Sequence, residues 1–173
     1  MQAHHPADDE EADDLERIRA LVDADDEPWS RAIPLHLTAS ALIVHPPTGR
    51  VLLRWHAKQR RWLQVGGHGD PGESDPWPVA LREAEEETTL TDLRPWPGPE
   101  PDLFQVTVVP VEPTPKEPAH EHADLRYLLA TERPDDVPPE VEDVPLRWCT
   151  VEEAVELADP GLERLLRAYE RLT

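Results

Sequence analysis

Cysteine is almost absent from this sequence, whose single thiol is Cys149. One cysteine excludes an intrachain disulfide and any metal site built from paired cysteines. Long apolar runs are missing too, since none approaches the roughly 20 residues that cross a bilayer. The first 14 residues have neither the basic n-region nor the apolar h-region of a secretory signal. We therefore expect a cytoplasmic protein with no membrane partner.

Positive charge is also scarce. Lys and Arg number 17 against 37 Asp and Glu, which gives a formal net charge of −20. The long-range field of such a chain repels polyanions, so we expect no DNA partner. A small anionic substrate can still bind where metal ions or a local basic patch reverse that field. The 173 residues are enough for one domain with a hydrophobic core.

The chain divides into three predicted regions. Residues 1–14 are acidic and nearly free of large apolar side chains, which predicts a disordered lead. Apolar residues at helical spacing from Leu15 to Val22 predict a short amphipathic helix. This helix and a linker occupy residues 15–34, and residues 35–173 are expected to form the functional domain.

The functional domain combines predicted strands with predicted helices. A turn at residues 46–49 joins the first two strands, which predicts a hairpin. Thr150 and Glu153 form a capping box that begins one late helix, and residues 162–172 predict a second. We expect an α/β (α+β) domain with a mixed twisted sheet. The predicted strands are residues 36–44, 51–56, 62–65, 103–111, 123–130 and 146–149.

Glycine is concentrated in one loop, because four of the seven glycines fall between Gly66 and Gly72. Such a loop can turn sharply and approach a ligand closely. Asp75 is a good N-cap and Pro76 fits the first helical position. The loop therefore leads into a predicted helix that runs to about Thr89.

Three carboxylates of this helix, Glu83, Glu86 and Glu87, fall on one arc at 100° per residue. Like charges at this spacing repel by roughly 0.2–0.5 kcal/mol per pair, and a helix C-terminus disfavours anions. A hard divalent cation such as Mg²⁺ or Mn²⁺ explains the crowding. The alternative is an acidic, solvated helix. Arg82 can reach Glu86 or the upstream Glu73 and hold the carboxylates in place.

This combination resembles the Nudix box, the signature of the Nudix hydrolase family. Gly67, five residues and Glu73 fit the pattern, and residues 82–90 fit the rest except that Thr89 replaces a glycine. Eight residues instead of seven separate Glu73 from Arg82. The resemblance implies the Nudix fold, a mixed twisted β-sheet sandwiched between helices. The replacement of glycine by Thr89 costs little if the helix runs on by one residue instead of closing at a left-handed glycine.

The resemblance implies Mg²⁺-dependent (or Mn²⁺-dependent) hydrolysis of a phosphoanhydride. Because a pyrophosphate is polyanionic, metal must neutralise it and make water acidic enough to attack. The implied substrate is a nucleoside diphosphate linked to another moiety, of the nucleotide sugar, ADP-ribose or nucleoside triphosphate type. The implied metal ligands are Glu83, Glu86, Glu87 and the Gly67 carbonyl, the implied catalytic set is Glu86, Glu83 and Arg82, and Glu73 belongs to the box.

Basic residues between Arg50 and Arg61 are candidates for substrate binding, Arg54 and Arg61 in particular. They either steer phosphate or guard a solvated hairpin edge with charge. His68 follows the implied metal ligand Gly67, so it either contacts the pocket or packs within the loop.

A later strand candidate carries a further polar set. If the strand is extended, His120, His122 and Asp124 share one face. They could bind a metal or line the substrate pocket as an acid/base set. Polar residues on a half-exposed strand are the other interpretation.

Two other functions compete with hydrolysis. One is a Nudix-like nucleotide-binding or regulatory protein with little turnover. The box of such a protein is usually degenerate and lacks the acids that Glu83 and Glu87 supply here. The other is isomerisation of a prenyl diphosphate, which would need a catalytic cysteine in the pocket. Cys149 lies in a different segment, beside Trp148. Dimers are common among small enzymes of this kind, so a homodimer is kept open.

Overall fold

The computed structural model describes residues 4–25, 27–115, 117–137 and 145–173. Residues 1–3 of the predicted lead therefore lie outside the described residues. The helices and strands in chain order are α1 (Asp9–Ala24), β1 (Leu35–His45), β2 (Arg50–His56), β3 (Arg61–Leu63), β4 (Val65–Gly67), α2 (Pro76–Thr88), β5 (Arg94–Pro95), β6 (Leu103–Val111), β7 (His120–Ala130), β8 (Leu146–Cys149), α3 (Val151–Leu157) and α4 (Pro160–Leu172).

The eight strands form one mixed sheet with the central order β3-β2-β1-β7-β5. β1 and β7 lie side by side in parallel, in a register that runs from Leu35 opposite Glu121 to Val44 opposite Ala130. β1 and β2 form the predicted antiparallel hairpin. β4 pairs with β1, β6 with β7 and β8 with β2. The parallel pair at the centre sets which side chains of β1 and β7 meet.

Alternation along β1 gives the sheet two differently covered faces. The face that carries Leu37 and Ile43 packs under α1 and α2, whereas the face that carries Leu42 and Val44 packs under α3 and α4. The predicted sheet between helices is therefore confirmed. Towards the start of β1 the second face changes from apolar to polar, with His36, Thr38 and Ser40. Among the described residues, no helix is long and apolar enough to cross a membrane.

The strand predicted at residues 62–65 is in fact two strands. β3 ends at Leu63 and pairs with β2, while β4 begins at Val65 and pairs with β1. The chain changes partners at Gln64, which a single apolar run cannot reveal. β5 was not predicted, because its two residues are too few to show a period.

The predicted disordered lead is not borne out for residues 9–14, which form the first turns of α1. Asp8 caps the helix by accepting the N–H of Glu11 at 2.8 Å. Glu11 itself is 1% exposed, and its carboxylate accepts the Val106 N–H at 2.9 Å and lies 2.8 Å from His4 Nε2. The composition of residues 1–14 could not show this, because one buried carboxylate does not change the average polarity of a segment whose other carboxylates are solvated.

Replacement of Glu11 by Ala should destabilise the protein markedly. The change leaves the buried N–H of Val106 without its acceptor. We expect the free energy of unfolding to fall by roughly 2–3 kcal/mol, measured by urea denaturation at neutral pH. Glu16→Ala, on the exposed side of the same helix, is the control and should change stability by less than about 0.5 kcal/mol. Equal effects of the two substitutions would contradict an anchoring role for Glu11.

Candidate active site

Two consecutive glycines at the end of β4 let the backbone lie directly against α2. A β-carbon on Gly67 would come within 2.6 Å of the Glu83 carboxyl carbon. One on Gly66, whose φ is +148°, would come within 2.4 Å of Ser40 Cβ. The Gly66 N–H donates to Glu87 Oε2 at 3.1 Å. Because Glu83 and Glu87 are one helical turn apart, both carboxylates meet the loop.

The two carboxylates are mostly withdrawn from solvent, each with 17% of its side chain exposed. Burial raises the pKa of both carboxyls, and that of Glu87 rises to about 6. Each has one guanidinium beside it: Arg82 Nη1 is 2.9 Å from Glu83 and Arg54 Nη1 is 3.2 Å from Glu87. Arg82 also contacts Glu73 and Glu86, so the four carboxylates of this site share only two guanidiniums.

Arg82 ties the loop to the helix. Its Nη2 donates to Glu73 at 2.9 Å and to the His68 carbonyl at 3.1 Å. Its Nη1 lies 3.4 Å from Glu86, so Arg82 makes both of the contacts expected from the sequence. The additional residue in 74–81 therefore does not separate Glu73 from Arg82. Glu86 differs from the other two box carboxylates, because 61% of its side chain is exposed.

The end of α2 departs from expectation. The helix does not run on through Thr89: it ends at Thr88, and Thr89 takes the left-handed conformation with φ 61°. Its N–H donates to the Glu85 carbonyl at 2.8 Å, which closes the last turn. A β-branched residue is strained there. Thr89 therefore takes the left-handed backbone conformation that a glycine usually takes at the end of a helix.

A cleft of about 760 Å³ opens beside Glu87, over the polar part of the sheet. Its wall includes Glu87 and Gly66, and α4 borders it on another side. Within the described part of the chain, three buried side-chain atoms have no hydrogen-bond partner: Arg54 Nε, Gln64 Oε1 and Arg164 Nε. All three residues line this cleft. These atoms are themselves covered, so a ligand or an ordered water in the cleft would complete their hydrogen bonds only after a small shift of the side chains.

Asp124 forms part of the cleft floor, and it is buried where the sequence allowed a half-exposed strand. Its carboxylate accepts from Thr38 at 3.0 Å, Ser40 at 2.8 Å, Gln64 at 3.3 Å and Arg126 Nε at 2.9 Å. A carboxylate with four donors orients the floor of the cleft. Arg126 was missed from the sequence, although the same period of two places it on this face.

A family model described as the NUDIX domain matches residues 34–171, most of the chain. The chain belongs to the Nudix family. Its box forms the buried carboxylate site described above, and its activity is that of a pyrophosphohydrolase, acting on acid anhydrides in phosphorus-containing compounds.

Individual relatives agree with this assignment. This Nudix chain is 31% identical over 121 residues to a bis(5'-nucleosyl)-tetraphosphatase (asymmetrical) of Caenorhabditis elegans, covering 69% of this chain and 80% of the relative. A crystal structure of a C. elegans Ap4A hydrolase binary complex aligns with a TM-score of 0.61 and 25% identity, covering 79% of this chain and 96% of the other. A NUDIX-family hydrolase from Clostridium perfringens, at 22% identity and TM-score 0.60 over 80% and 98% of the two chains, shares the fold.

Four histidines of the Nudix chain meet at one end of the cleft. His122 and His68 line it, and His120 lies beside His122, with 3.2 Å between their Nε2 atoms. Burial lowers the pKa of His68 to about 3 and that of His122 to about 4. His36, which the sequence did not single out, completes the group with its Nε2 3.1 Å from that of His68. No local pattern could have found His36, because its position depends on strand register.

The predicted basic cluster divides between two roles. Both arginines line the cleft, but Arg54 pairs with Glu87, whereas Arg61 has its Nη1 2.6 Å from Asp159 Oδ2. The sequence missed three further cations that α4 contributes to the cleft wall. A helical spacing of three and four residues could have found them. They are Arg164, Arg167 and Arg171.

Relief of the strain at Thr89 should stabilise the protein. We expect Thr89→Gly to raise the free energy of unfolding by up to about 1 kcal/mol, because glycine adopts the left-handed conformation freely. Thr89→Ala removes the branch but keeps the β-carbon, so it should gain less. Urea denaturation of the three proteins measures the order. If the conformation were unstrained, the glycine variant would instead lose roughly 0.4–1 kcal/mol through the entropy of its unfolded chain.

Glu87→Gln should stabilise the metal-free protein in a pH-dependent way. Burial raises the pKa of Glu87 from 4.5 to about 6, so ionisation disfavours the folded state and wild type loses stability as pH rises through 6. Above pH 7 the variant should be more stable by up to roughly 2 kcal/mol, and the gap should close towards pH 4.5. Thermal unfolding in the presence of a chelator measures it.

Two controls accompany this comparison. Glu85→Gln, an exposed position on the same helix, should give no such pH dependence. Added Mg²⁺ should stabilise wild type and not Glu87→Gln, since the cation binds the ionised carboxylate. A stability difference between Glu87→Gln and wild type that stays constant from pH 5 to 8 would contradict the assigned burial of this charge.

Proposed function

We propose that this chain is a Mg²⁺-dependent (or Mn²⁺-dependent) hydrolase that cleaves the phosphoanhydride of a nucleoside diphosphate linked to another moiety. The observation that carries the proposal is the burial of Glu83 and Glu87 against Gly67 and Gly66 at the edge of a cleft with unpaired polar atoms. We also keep the sequence-based predictions of a cytoplasmic location and of a homodimer.

The chemistry of the carboxylate set suits a hard divalent cation. Glu83 and Glu87 lie in the last turns of α2, where the helix dipole disfavours anions, and burial further raises the pKa of each. With Glu73 and Glu86, which also contact Arg82, the four carboxylates outnumber Arg82 and Arg54 by two. Oxygen ligands in such an arrangement are those that Mg²⁺ and Mn²⁺ prefer. The carbonyl of Gly67, beside Glu83, is a further oxygen of the same kind.

In the proposed mechanism Glu83, Glu87 and Gly67 hold the cation, and Arg82 fixes Glu83 and Glu73 in place. A divalent cation bound there would neutralise phosphate charge and lower the pKa of water. Glu86 projects from the same arc towards solvent, so we assign it to the attacking water or to a further cation. Water attacks phosphorus, and the products are a nucleoside monophosphate and the phosphorylated leaving moiety.

The cleft supplies the remaining recognition. Arg54 and Arg164 line the cleft, and a small side-chain rotation that uncovers their unpaired Nε–H groups would present donors to phosphate oxygens of the substrate. Gln64 Oε1 is an unpaired acceptor, suited to a ribose hydroxyl or a base N–H. Arg54 pairs with Glu87 and Arg164 with Asp8 and Glu10, so substrate phosphate would compete with these carboxylates for the guanidiniums. Such a cleft suits a small nucleotide.

The nature of the linked moiety is proposed from the relatives. The C. elegans relative is named a bis(5'-nucleosyl)-tetraphosphatase, so a dinucleoside tetraphosphate is the first substrate to test. Nucleotide sugars, ADP-ribose and nucleoside triphosphates present the same anhydride and complete the panel. Prenyl diphosphate isomerisation is disfavoured, because Cys149 is buried on β8, where burial raises its pKa.

The test is phosphate and nucleotide release from this panel with Mg²⁺, for wild type and Glu87→Gln. We expect turnover of at least one dinucleoside or nucleoside polyphosphate by wild type. The variant should lose about 10²-fold or more in kcat/KM, because a carboxylate that holds the activating cation is removed. Quantitative chromatography of the products gives both values.

Glu85→Gln serves as the matched control, since Glu85 lies on the same helix but its side chain points to solvent and away from the cleft. It should keep wild-type turnover. Tight binding of a panel nucleotide without Mg²⁺-dependent turnover would instead support the nucleotide-binding, regulatory alternative. Equal turnover by wild type and Glu87→Gln would contradict the proposed site.

A further inference from the structure

Three imidazoles from three adjacent segments converge at the polar end of the sheet. His36 on β1 lies directly opposite His122 on parallel β7, and His68 follows β4, which pairs with the other edge of β1. One ligand nitrogen from each of the three lies within 4.8 Å of the other two. The fold therefore assembles a three-nitrogen set from positions far apart in the sequence.

The spacing of these nitrogens matches a metal site. The Nε2 atoms of His36 and His68 are 3.1 Å apart. Two imidazole nitrogens bound to one tetrahedral Zn²⁺ at 2.0–2.1 Å are separated by about 3.3 Å. The rings also converge instead of stacking in parallel, with His68 and His122 at 88° and His36 and His122 at 60°. Small side-chain rotations would bring all three nitrogens onto one ion.

The backbone fixes the orientation of His36. Its Nδ1 is 3.0 Å from the carbonyl oxygen of Ile33, which can only accept, so this nitrogen carries the proton. The neutral ring then presents the lone pair of Nε2 to His68. A histidine that donates one N–H to a backbone carbonyl and offers the other nitrogen is the usual form of a metal ligand.

A second imidazole is held in the same way beside His122. The Nδ1 of His120 is 2.9 Å from the Pro118 carbonyl, which leaves its Nε2 as an acceptor 3.2 Å from the Nε2 of His122. If the Nε2 of His122 carries a proton and donates it to the Nε2 of His120, the free lone pair of His122 is on its Nδ1. His120 is therefore a positioning residue for His122, in the outer shell of the cluster.

We propose that His36, His68 and His122 bind one late first-row divalent cation of the Zn²⁺ type, at a site separate from the box carboxylates. Nitrogen ligands select such ions, whereas Mg²⁺ and Mn²⁺ prefer oxygen. His68 and His122 line the cleft, so a fourth coordination position faces it. That position would take water or an anionic oxygen of a ligand in the cleft. The inference rests on the imidazole geometry and not on the proposed hydrolysis.

The test uses the full chain, stripped with a chelator and titrated with Zn²⁺ and with Co²⁺. Calorimetry gives stoichiometry and affinity, and the visible spectrum of bound Co²⁺ reports nitrogen coordination and geometry. The variants are His122→Gln, which removes a ligand, His120→Gln, which removes only the outer contact, and Glu87→Gln, which alters the box. His45→Gln, at the far end of β1, is the matched control.

We expect one equivalent of Zn²⁺ in wild type, Glu87→Gln and His45→Gln. His122→Gln should bind at least about 10²-fold more weakly, and His120→Gln about 10-fold. Circular dichroism of the metal-free variants checks that they fold. If His122→Gln unfolds, His68→Gln in the loop takes its place.

Two results would overturn the assignment. Unchanged Zn²⁺ affinity in the histidine variants would show a packed imidazole cluster that binds no metal. Loss of binding in Glu87→Gln with retention in His122→Gln would place the ion at the carboxylates. Both results are independent of nucleotide turnover, so failure here is distinguishable from failure of the proposed hydrolysis.

Discussion

The contact between two glycines and two carboxylates is the constraint on which the rest of the site depends. Gly67 has no room for a β-carbon, because the carboxyl group of Glu83 occupies that space. Gly66 donates its N–H to Glu87. This close approach buries both carboxylates and raises their pKa, and Arg82 then holds the loop to the helix. A larger side chain at Gly67 would push β4 off α2 and separate the groups that a cation needs together.

The charge of the molecule is organised around this contact. The chain is strongly acidic overall, yet the cleft wall receives arginines from β2, β7 and α4. Arg126 is fully engaged with Asp124, Gln105 and the Gly161 carbonyl, so it holds the floor rigid. Arg54 and Arg164 each keep a buried N–H unpaired. Both guanidiniums are also paired with carboxylates, Arg54 with Glu87 and Arg164 with Asp8 and Glu10, so an anion in the cleft would share them.

The two candidate metal sites differ in donor chemistry although they share the segment from Gly66 to His68. The carboxylates offer hard oxygens, and the imidazoles offer nitrogens, with the His36 ring held by a backbone carbonyl. If both proposals hold, the two sites would select different cations by ligand type. The short loop after β4 connects the sites, since Gly67 touches Glu83 and His68 touches His36.

The sequence by itself determined the features set by local geometry. The carboxylate arc of α2, the cap at Asp75, the hairpin and the capping box of α3 all follow from helical or strand periods within a few residues, and all are present. Tertiary structure decided the rest. His36 meets His122 only through the parallel register of β1 and β7, Glu11 becomes an anchor only because Val106 needs an acceptor, and Thr89 turns left-handed because α2 must end there. Pairing and burial between distant segments depend on the whole packing, which no local pattern encodes.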